Sequence, residues 1–138
     1  MRALLQRVSR AAVRCNGQEV ASIGAGLLVF LGVSVTDGEE NARALARKVA
    51  ALRIFPDERG RLNDPLGERE VLCVSQFTLC ADTRRGNRPS FTEAAPAERA
   101  RPLYELFCSL LGAKRGRFGE TMEVELVNDG PVTLLLEQ

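Results

Sequence analysis

Apolar and polar residues alternate along the first part of the chain, and this pattern is typical of strands that bury one face. It predicts a strand over residues 2–14, a turn at Asn16-Gly17 and a returning strand over 19–23, which together form a hairpin. The apolar run 27–33 predicts a buried strand. From Glu39 the apolar spacing lengthens to three and four residues, which predicts an amphipathic helix. The buried face of this helix would contain Ala42, Leu45, Val49 and Leu52.

The stretch 71–81, VLCVSQFTLCA, is the centre of the predicted fold. Its apolar runs predict a strand that is covered on both faces, yet Ser75, Gln76 and Thr78 place polar groups inside it. Each such group would cost about 1–3 kcal/mol if it were buried without a hydrogen-bond partner. Two interpretations remain open. The polar groups are satisfied in the core, or the strand ends at Ser75; alternatively, they face a functional pocket.

Two polar stretches, 57–70 and 81–96, predict loops on either side of this strand. Pro96 suits the first turn of a second helix and Gly112 its end. Pro102 predicts a kink in this helix or a later start, because proline inside a helix costs about 3 kcal/mol. The buried face of this helix would contain Ala100, Leu103, Leu106, Phe107, Leu110 and Leu111.

The C-terminal part predicts two strands, 122–127 and 132–136, joined by a tight turn at 128–131. Strands therefore outnumber helices, and the two main helices interrupt them. This order predicts the α+β class, with a curved, partly closed and barrel-like β-sheet. The length of 138 residues fits a single domain over residues 1–138.

Composition narrows the possible functions. The net charge of +1 excludes a globally basic nucleic-acid binder but leaves room for a local basic patch. No apolar segment is long enough to cross a membrane, so no membrane partner is expected. Gln6, Arg7 and Arg10 interrupt the apolar region that a signal peptide would need, and we therefore expect a cytoplasmic protein.

Catalysis would have to proceed without imidazole, because the chain contains no histidine. This excludes Ser-His-Asp and Cys-His mechanisms and most catalytic zinc sites. The cysteines at 15, 73, 80 and 108 lack the spacing of a zinc half-site, and we interpret them as buried free thiols. We expect neither a metal nor a cofactor. Carboxylates, lysine, a hydroxyl, the substrate's own groups or backbone dipoles would carry any reaction.

Two basic clusters offer a surface for nucleic acid. Arg84, Arg85 and Arg88 lie in the loop 81–96 with Phe91 nearby, and cations beside an aromatic ring suit a phosphate backbone and an unstacked base. The second cluster consists of Lys114, Arg115 and Arg117. A solvated loop that serves only solubility explains the same residue types, so both interpretations remain open.

Two motifs occur together in this chain, Ser75-Gln76-Phe77-Thr78-Leu79 and Asn128-Asp129-Gly130-Pro131-Val132-Thr133. They resemble the paired signatures SQFTL and NxGPxT of the bacterial type of the D-aminoacyl-tRNA deacylase family. The similarity extends nearly from end to end and includes MRALLQRVSRA, IGAGLLVFLGV, RIFPDERGRLN, RGNRPSF and GRFGETMEVELVNDGP. Ala95 and Pro102 depart from the family pattern, and both concern helix stability.

The resemblance implies hydrolysis of the ester between a D-amino acid and the terminal adenosine of tRNA, and also of glycyl-tRNA mischarged on the tRNA for alanine. It implies a homodimer whose active site lies at the subunit interface. A cis Gly130-Pro131 bond would enter the partner's pocket, where its carbonyls leave no room for an L side chain. The residues implied in chiral selection are Gly130, Pro131, Asn128 and Arg7, with Arg7 bracing the Gly-Pro segment.

The resemblance also places Ser75, Gln76, Phe77 and Thr78 at the catalytic centre. Backbone N–H groups of Phe77 and Thr78 would stabilise the oxyanion, while the ribose 2′-hydroxyl assists the attacking water. Thr78 is expected to position the substrate, because no neighbouring base is evident that could activate it as a nucleophile. Gln76 and Ser75 would hold the loop or the amino group of the substrate.

Two other functions remain open on the same fold. A non-catalytic tRNA- or DNA-binding module would use the basic clusters and leave the ester intact. A general esterase of small substrates is the third possibility, although the chain lacks the G-x-S-x-G nucleophile motif.

Overall fold

A computed structural model describes residues 1–138 as a mixed sheet, a short hairpin and two α-helices. The strands are β1 (Arg2–Cys15), β2 (Gln18–Ile23), β3 (Gly26–Gly32), β4 (Phe55–Pro56), β5 (Leu62–Asp64), β6 (Glu70–Ser75), β7 (Lys114–Arg115) and β8 (Glu123–Glu137). The helices are α1 (Glu39–Ala51) and α2 (Ala97–Leu110), with a short 3₁₀ helix, η1 (Phe77–Cys80). This arrangement confirms the predicted α+β class.

The long strand β1 organises the sheet. It pairs antiparallel with β8 along one edge and with β3 and then β2 along the other, while β6 extends the sheet as a parallel neighbour of β3. The β1–β2 hairpin turns at Asn16 and Gly17, both of which have positive φ angles, as an Asn-Gly hairpin turn requires. Sharing β1 among three strands bends the sheet into a nearly closed barrel.

The larger core lies between this sheet and the two helices. On α1 it takes Ala42, Leu45 and Val49, as the periodicity predicts. The face of α2 in the core differs from the prediction, because Tyr104 and Cys108 are also buried whereas Leu110 is 46% exposed. All the cysteines are free and buried, as expected: Cys15, Cys73, Cys80 and Cys108.

The helix α2 begins at Ala97 and continues through Pro102, so the prediction that it starts later is wrong. The proline lies on the exposed side of the helix. The single hydrogen bond that its missing N–H removes is offset by the burial of Leu103 and Phe107 in the following turn. Neither α1 nor α2 has the length and apolar character needed to span a bilayer.

A single strand over the whole of 71–81 is wrong, and the alternative that the strand ends at Ser75 is confirmed. The backbone N–H of Gln76 donates to Leu31 O at 2.8 Å, and the chain then leaves the sheet and coils into η1. The polar residues thus lie at a strand end and not inside a buried strand. The predicted loop 57–70 contains the short strand β5, which pairs with β4 just before it.

The prediction of a tight turn at 128–131 is also wrong, because β8 pairs with β1 on both sides of these residues. Val8 pairs with Asn128 and Gln6 with Thr133, so residues 129–132 bulge out opposite the single residue Arg7. The Asn128 side-chain amide closes the base of the bulge, donating to Arg7 O at 2.9 Å and to Val132 O at 3.1 Å. We call residues 129–132 the β8 bulge.

Candidate active site

The first cluster of candidate residues follows the end of β6. Ser75 is the last strand residue, and Phe77 and Thr78 open η1 with the Phe77 ring 55% exposed. The Gln76 side-chain amide donates to Thr78 Oγ1 at 2.6 Å. No carboxylate or amine hydrogen-bonds to the Thr78 hydroxyl, so nothing in the chain is placed to deprotonate it.

The start of η1 presents two backbone donors. The first hydrogen bonds of this turn come from Leu79 N to Gln76 O and from Ala81 N to Thr78 O. The N–H groups of Phe77 and Thr78 precede this pattern, and no side chain caps them. Two adjacent N–H groups at an exposed helix start can stabilise a developing negative charge.

A cavity of ≈ 450 Å³ opens beside this cluster. Ser75, Gln76 and Phe77 form one wall, and the segment from Phe118 to Met122 forms another. Apolar side chains line most of it, so it suits a flat, partly apolar group such as a nucleobase. The remaining lining residues are Leu31, Val33, Val74, Ala95, Ala97, Ala100 and Val124.

Phe118 is held rigidly in this cavity. Its ring lies 5.6 Å from that of Tyr104, and the Arg101 guanidinium lies 4.8 Å from its centre. Tyr104 is itself fixed, since its hydroxyl donates to Cys73 O at 2.8 Å and burial raises its pKa well above the usual range. Reasoning from residue types missed this wall, because only the fold brings it to Ser75. The resemblance did cover it, in the stretch GRFGETMEV.

The long loop 81–96 lies against the same cluster. Phe91, predicted as a nucleic-acid contact beside the arginines, packs edge to face on Phe77 with ring centres 5.2 Å apart. Asp82 and Ser90 exchange backbone hydrogen bonds of 2.8 and 2.9 Å, which close the loop at its base. This packing holds the loop against Phe77 of the candidate cluster.

The two basic clusters differ in how free their charges are. Arg84 pairs with Asp82, whose pKa it holds well below the usual range, while Arg85 and Arg88 form no ion pair. These arginines line a shared open groove. In the second cluster, Lys114 bonds to Glu70 and Ser22, Arg115 to Ser109, and Arg117 to Glu120. The first cluster therefore offers more free charge.

The second group of candidate residues surrounds the β8 bulge. Arg7 is only 6% exposed, and its guanidinium donates from Nη1 to Ile54 O at 2.7 Å and from Nη2 to Gly130 O at 3.2 Å. The peptide bond between Gly130 and Pro131 is cis. An added Cβ on Gly130 would meet no atom within 4 Å, so the bulge projects away from its own chain.

Within one chain the two groups form no joint site. Neither Asn128 nor any residue of the β8 bulge lines a cavity. A cavity of ≈ 780 Å³ is lined by Cys80 of η1 and by both ends of the chain, and it contains the ion pairs of Met1 with Asp37 and of Arg2 with Glu137. No three His, Cys, Asp or Glu residues lie close enough to hold a metal ion.

Comparison with known proteins places the whole chain in one family. The family model described as D-Tyr-tRNA(Tyr) deacylase matches residues 4–137. The chain belongs to this family. Proteins named D-aminoacyl-tRNA deacylase from Anaeromyxobacter dehalogenans and Roseiflexus sp. are 54% and 55% identical, each over 99% of this chain and over 97% and 93% of their own length. The family prediction is confirmed.

Solved structures share the fold of the family. The structure titled "c-Myc DNA Unwinding Element Binding Protein" superposes with a TM-score of 0.94 at 40% identity, covering 100% of this chain and 99% of the other. A structure described as a "probable eukaryotic D-amino acid tRNA deacylase" has a TM-score of 0.79 at 18% identity, covering 98% and 97%. This second likeness concerns the fold alone.

Proposed function

We propose that this protein hydrolyses the ester of D-aminoacyl-tRNA, releasing the D-amino acid and free tRNA. The observation that carries the proposal is the family match over residues 4–137, with Ser75, Gln76 and Phe77 lining a cavity that is large enough for a nucleobase. The terminal adenosine would enter this cavity against Phe118. The aminoacyl ester would then lie over the start of η1.

In the proposed reaction a water molecule attacks the ester carbonyl. The water oxygen adds to the carbonyl carbon and gives a tetrahedral oxyanion. Collapse of this oxyanion breaks the bond to the ribose oxygen, and the proton of the water passes to that leaving oxygen with help from the neighbouring 2′-hydroxyl. The N–H groups of Phe77 and Thr78 stabilise the oxyanion, a contribution that is worth about 10²–10³ in rate for one such donor in other enzymes. Thr78, oriented by Gln76, positions the ester.

Selection by handedness would come from a second copy of the chain. The β8 bulge carries Gly130 and Pro131 on the surface, and Arg7 anchors it from inside. β8 pairs only with β1, and Val127, Leu134 and Leu135 expose apolar side chains along it. A long exposed edge of this kind favours association. The partner's bulge would fill the space that an L side chain needs.

Steric exclusion of this kind also explains the proposed action on glycyl-tRNA mischarged on the tRNA for alanine. Glycine has no side chain that could clash with the bulge. A site that rejects the L enantiomer by steric exclusion therefore still accepts glycine. The same geometry requires a homodimer, because one chain does not bring its own β8 bulge to its cavity. A protein that sediments as a monomer at assay concentrations would contradict this part of the proposal.

The direct test compares hydrolysis of D-tyrosyl-tRNA with that of L-tyrosyl-tRNA. We expect rapid release of D-tyrosine and an intact L ester. Thr78→Ala should keep substantial turnover, since Thr78 positions the ester, and Ser109→Ala on the exposed face of α2 is the hydroxyl control. Trapping of an acyl-Thr78 intermediate would instead make Thr78 the nucleophile. Equal activity on free D-amino-acid esters would favour a general esterase.

A second candidate function is nucleic-acid binding without turnover. It is favoured by the likeness to a structure whose title names it a DNA-binding protein, and by the unpaired charges of Arg85 and Arg88. Under this alternative the protein binds tRNA or DNA and leaves a D-aminoacyl ester intact. The double variant Arg85→Ala, Arg88→Ala would then bind with a weaker salt dependence. The slope of log K against log salt concentration would become less negative by about 0.9 for each phosphate contact removed.

A further inference from the structure

The β8 bulge contains an ion pair that the roles assigned above do not use. Asp129 Oδ2 lies 2.9 Å from Arg7 Nε, and the same Nε donates to the Asp129 backbone carbonyl at 3.2 Å. The Arg7 side chain is 8% exposed and that of Asp129 is 52% exposed. A surface carboxylate thus reaches inward to a nearly buried cation.

Asp129 is the only anion that pairs with Arg7. The other acceptors of the guanidinium are neutral carbonyl oxygens, of Ile54, Asp129 and Gly130. A nearly buried guanidinium without a counter-charge is strongly disfavoured. The carboxylate therefore determines how firmly the cation stays in place.

The geometry of the guanidinium connects this pair to Gly130. The Nε–H and one N–H of Nη2 point from the same edge of the planar group. Asp129 O accepts from Nε and Gly130 O from Nη2, while the Asp129 carboxylate lies against the same edge as its counter-charge. Loss of the carboxylate would leave the hydrogen bond from Nη1 to Ile54 O as the strongest contact of Arg7. The guanidinium plane could then rotate away from Gly130.

We propose that Asp129 is a positioning residue for chiral selection. Its carboxylate neutralises Arg7 and holds the guanidinium edge on the Gly130 carbonyl, which fixes the bulge that excludes L substrates. The proposal rests on the proposed function above. It is distinct from a general stabilising role, because it concerns the preference for D over L and not the rate of ester hydrolysis.

The test measures kcat/KM for D- and L-tyrosyl-tRNA in Asp129→Asn, Asp129→Ala and Asp129→Glu. We expect the D/L ratio to fall about fivefold in the Asn variant, equivalent to about 1 kcal/mol, and further in the Ala variant. The ratio should fall because activity on the L ester rises, and the Glu variant should recover most of the ratio. Asp64→Asn is the control, since Asp64 is similarly exposed and pairs with Arg69 at 4.0 Å.

An unchanged ratio in the Asn and Ala variants overturns the proposal, as does an equal fall of both activities. A second measurement does not depend on turnover. Hydrogen exchange of the Arg7 Nε–H, followed by NMR, should be slow in the wild-type protein and about tenfold faster in Asp129→Asn, because loss of the counter-charge frees the guanidinium to leave the carbonyl oxygens that Nε and Nη2 bond. Equal exchange rates overturn the positioning role. A wild-type protein that ignores handedness, with the exchange difference present, contradicts the proposed function alone.

Discussion

Gly32 ends β3 directly beneath η1, and its replacement by alanine tests whether η1 is the catalytic element. A Cβ at this position would lie 3.0 Å from Gln76 O, 3.0 Å from Leu79 Cβ and 3.2 Å from Cys80 Sγ. Two of these neighbours belong to η1, and the carbonyl belongs to the residue that leads into it. Relief of the contact therefore requires η1 to shift by a few tenths of an ångström.

Overpacking of this kind costs about 1–3 kcal/mol. For a chain of this size each kcal/mol lowers the melting temperature by about 3 °C, so we expect a decrease of about 3–9 °C. Because Phe77 and Thr78 move with η1, kcat/KM for D-tyrosyl-tRNA should also fall by about 10-fold or more at temperatures where the protein is fully folded.

The control for Gly32→Ala is Gly24→Ala, whose Cβ would lie 3.8 Å from a Glu70 carboxylate oxygen, an ordinary contact distance. Thermal unfolding followed by circular dichroism and the deacylation assay are run on both proteins. Gly24→Ala should match the wild type in both measurements. A Gly32→Ala protein that melts lower yet deacylates normally would show that the position of η1 does not govern the reaction.

Three further predictions follow from individual contacts. Gly130→Ala should unfold at the wild-type temperature, since its Cβ meets nothing in its own chain. Its kcat/KM on D-tyrosyl-tRNA should fall about tenfold, because the methyl group would overpack the partner's cleft. Normal activity would contradict the shared site. Glu70→Gln removes a carboxylate whose pKa is lowered by its hydrogen bond from Lys114. The variant should therefore melt at a lower temperature than the wild type at pH 7. The difference should vanish as the pH falls below about 4, because the wild-type carboxylate then becomes protonated. Tyr104→Phe should cost about 1 kcal/mol in urea unfolding, because the Cys73 carbonyl that loses the hydroxyl keeps a backbone N–H donor at 3.0 Å; a loss above about 3 kcal/mol would contradict this.

The features predicted correctly are those that local sequence determines. An Asn-Gly pair between two alternating runs gives the β1–β2 hairpin, and spacing of three and four gives the face of α1. In contrast, the end of β6 at Ser75 depends on a hydrogen bond between Gln76 and Leu31, and the β8 bulge depends on its pairing across β1. Such pairings join residues far apart in sequence, so periodicity carries no signal for them.

The candidate site shows the same division. The sequence predicts the residues from Ser75 to Thr78 as candidates because polar groups interrupt an apolar run, which is a local signal. Phe118 did not stand out, since its importance comes from its position opposite Ser75 across the cavity. Asp129 occupies a variable position of the NxGPxT signature, and only the 2.9 Å contact with Arg7 gives it a role.

The arrangement of hydrogen bonds explains how a surface loop could discriminate between enantiomers. Exclusion of an L side chain requires that the excluding atoms do not yield, because a movement of about 1 Å at a reacting centre can change a rate by about 100-fold. The β8 bulge meets this requirement within its own chain, since Asn128 closes its base and Arg7 holds two of its carbonyls. A segment that is already ordered before the subunits meet loses little conformational freedom on entering a partner's cleft. Stiffness built into each separate chain, and not contacts formed at the interface, would therefore set the limit of the selectivity.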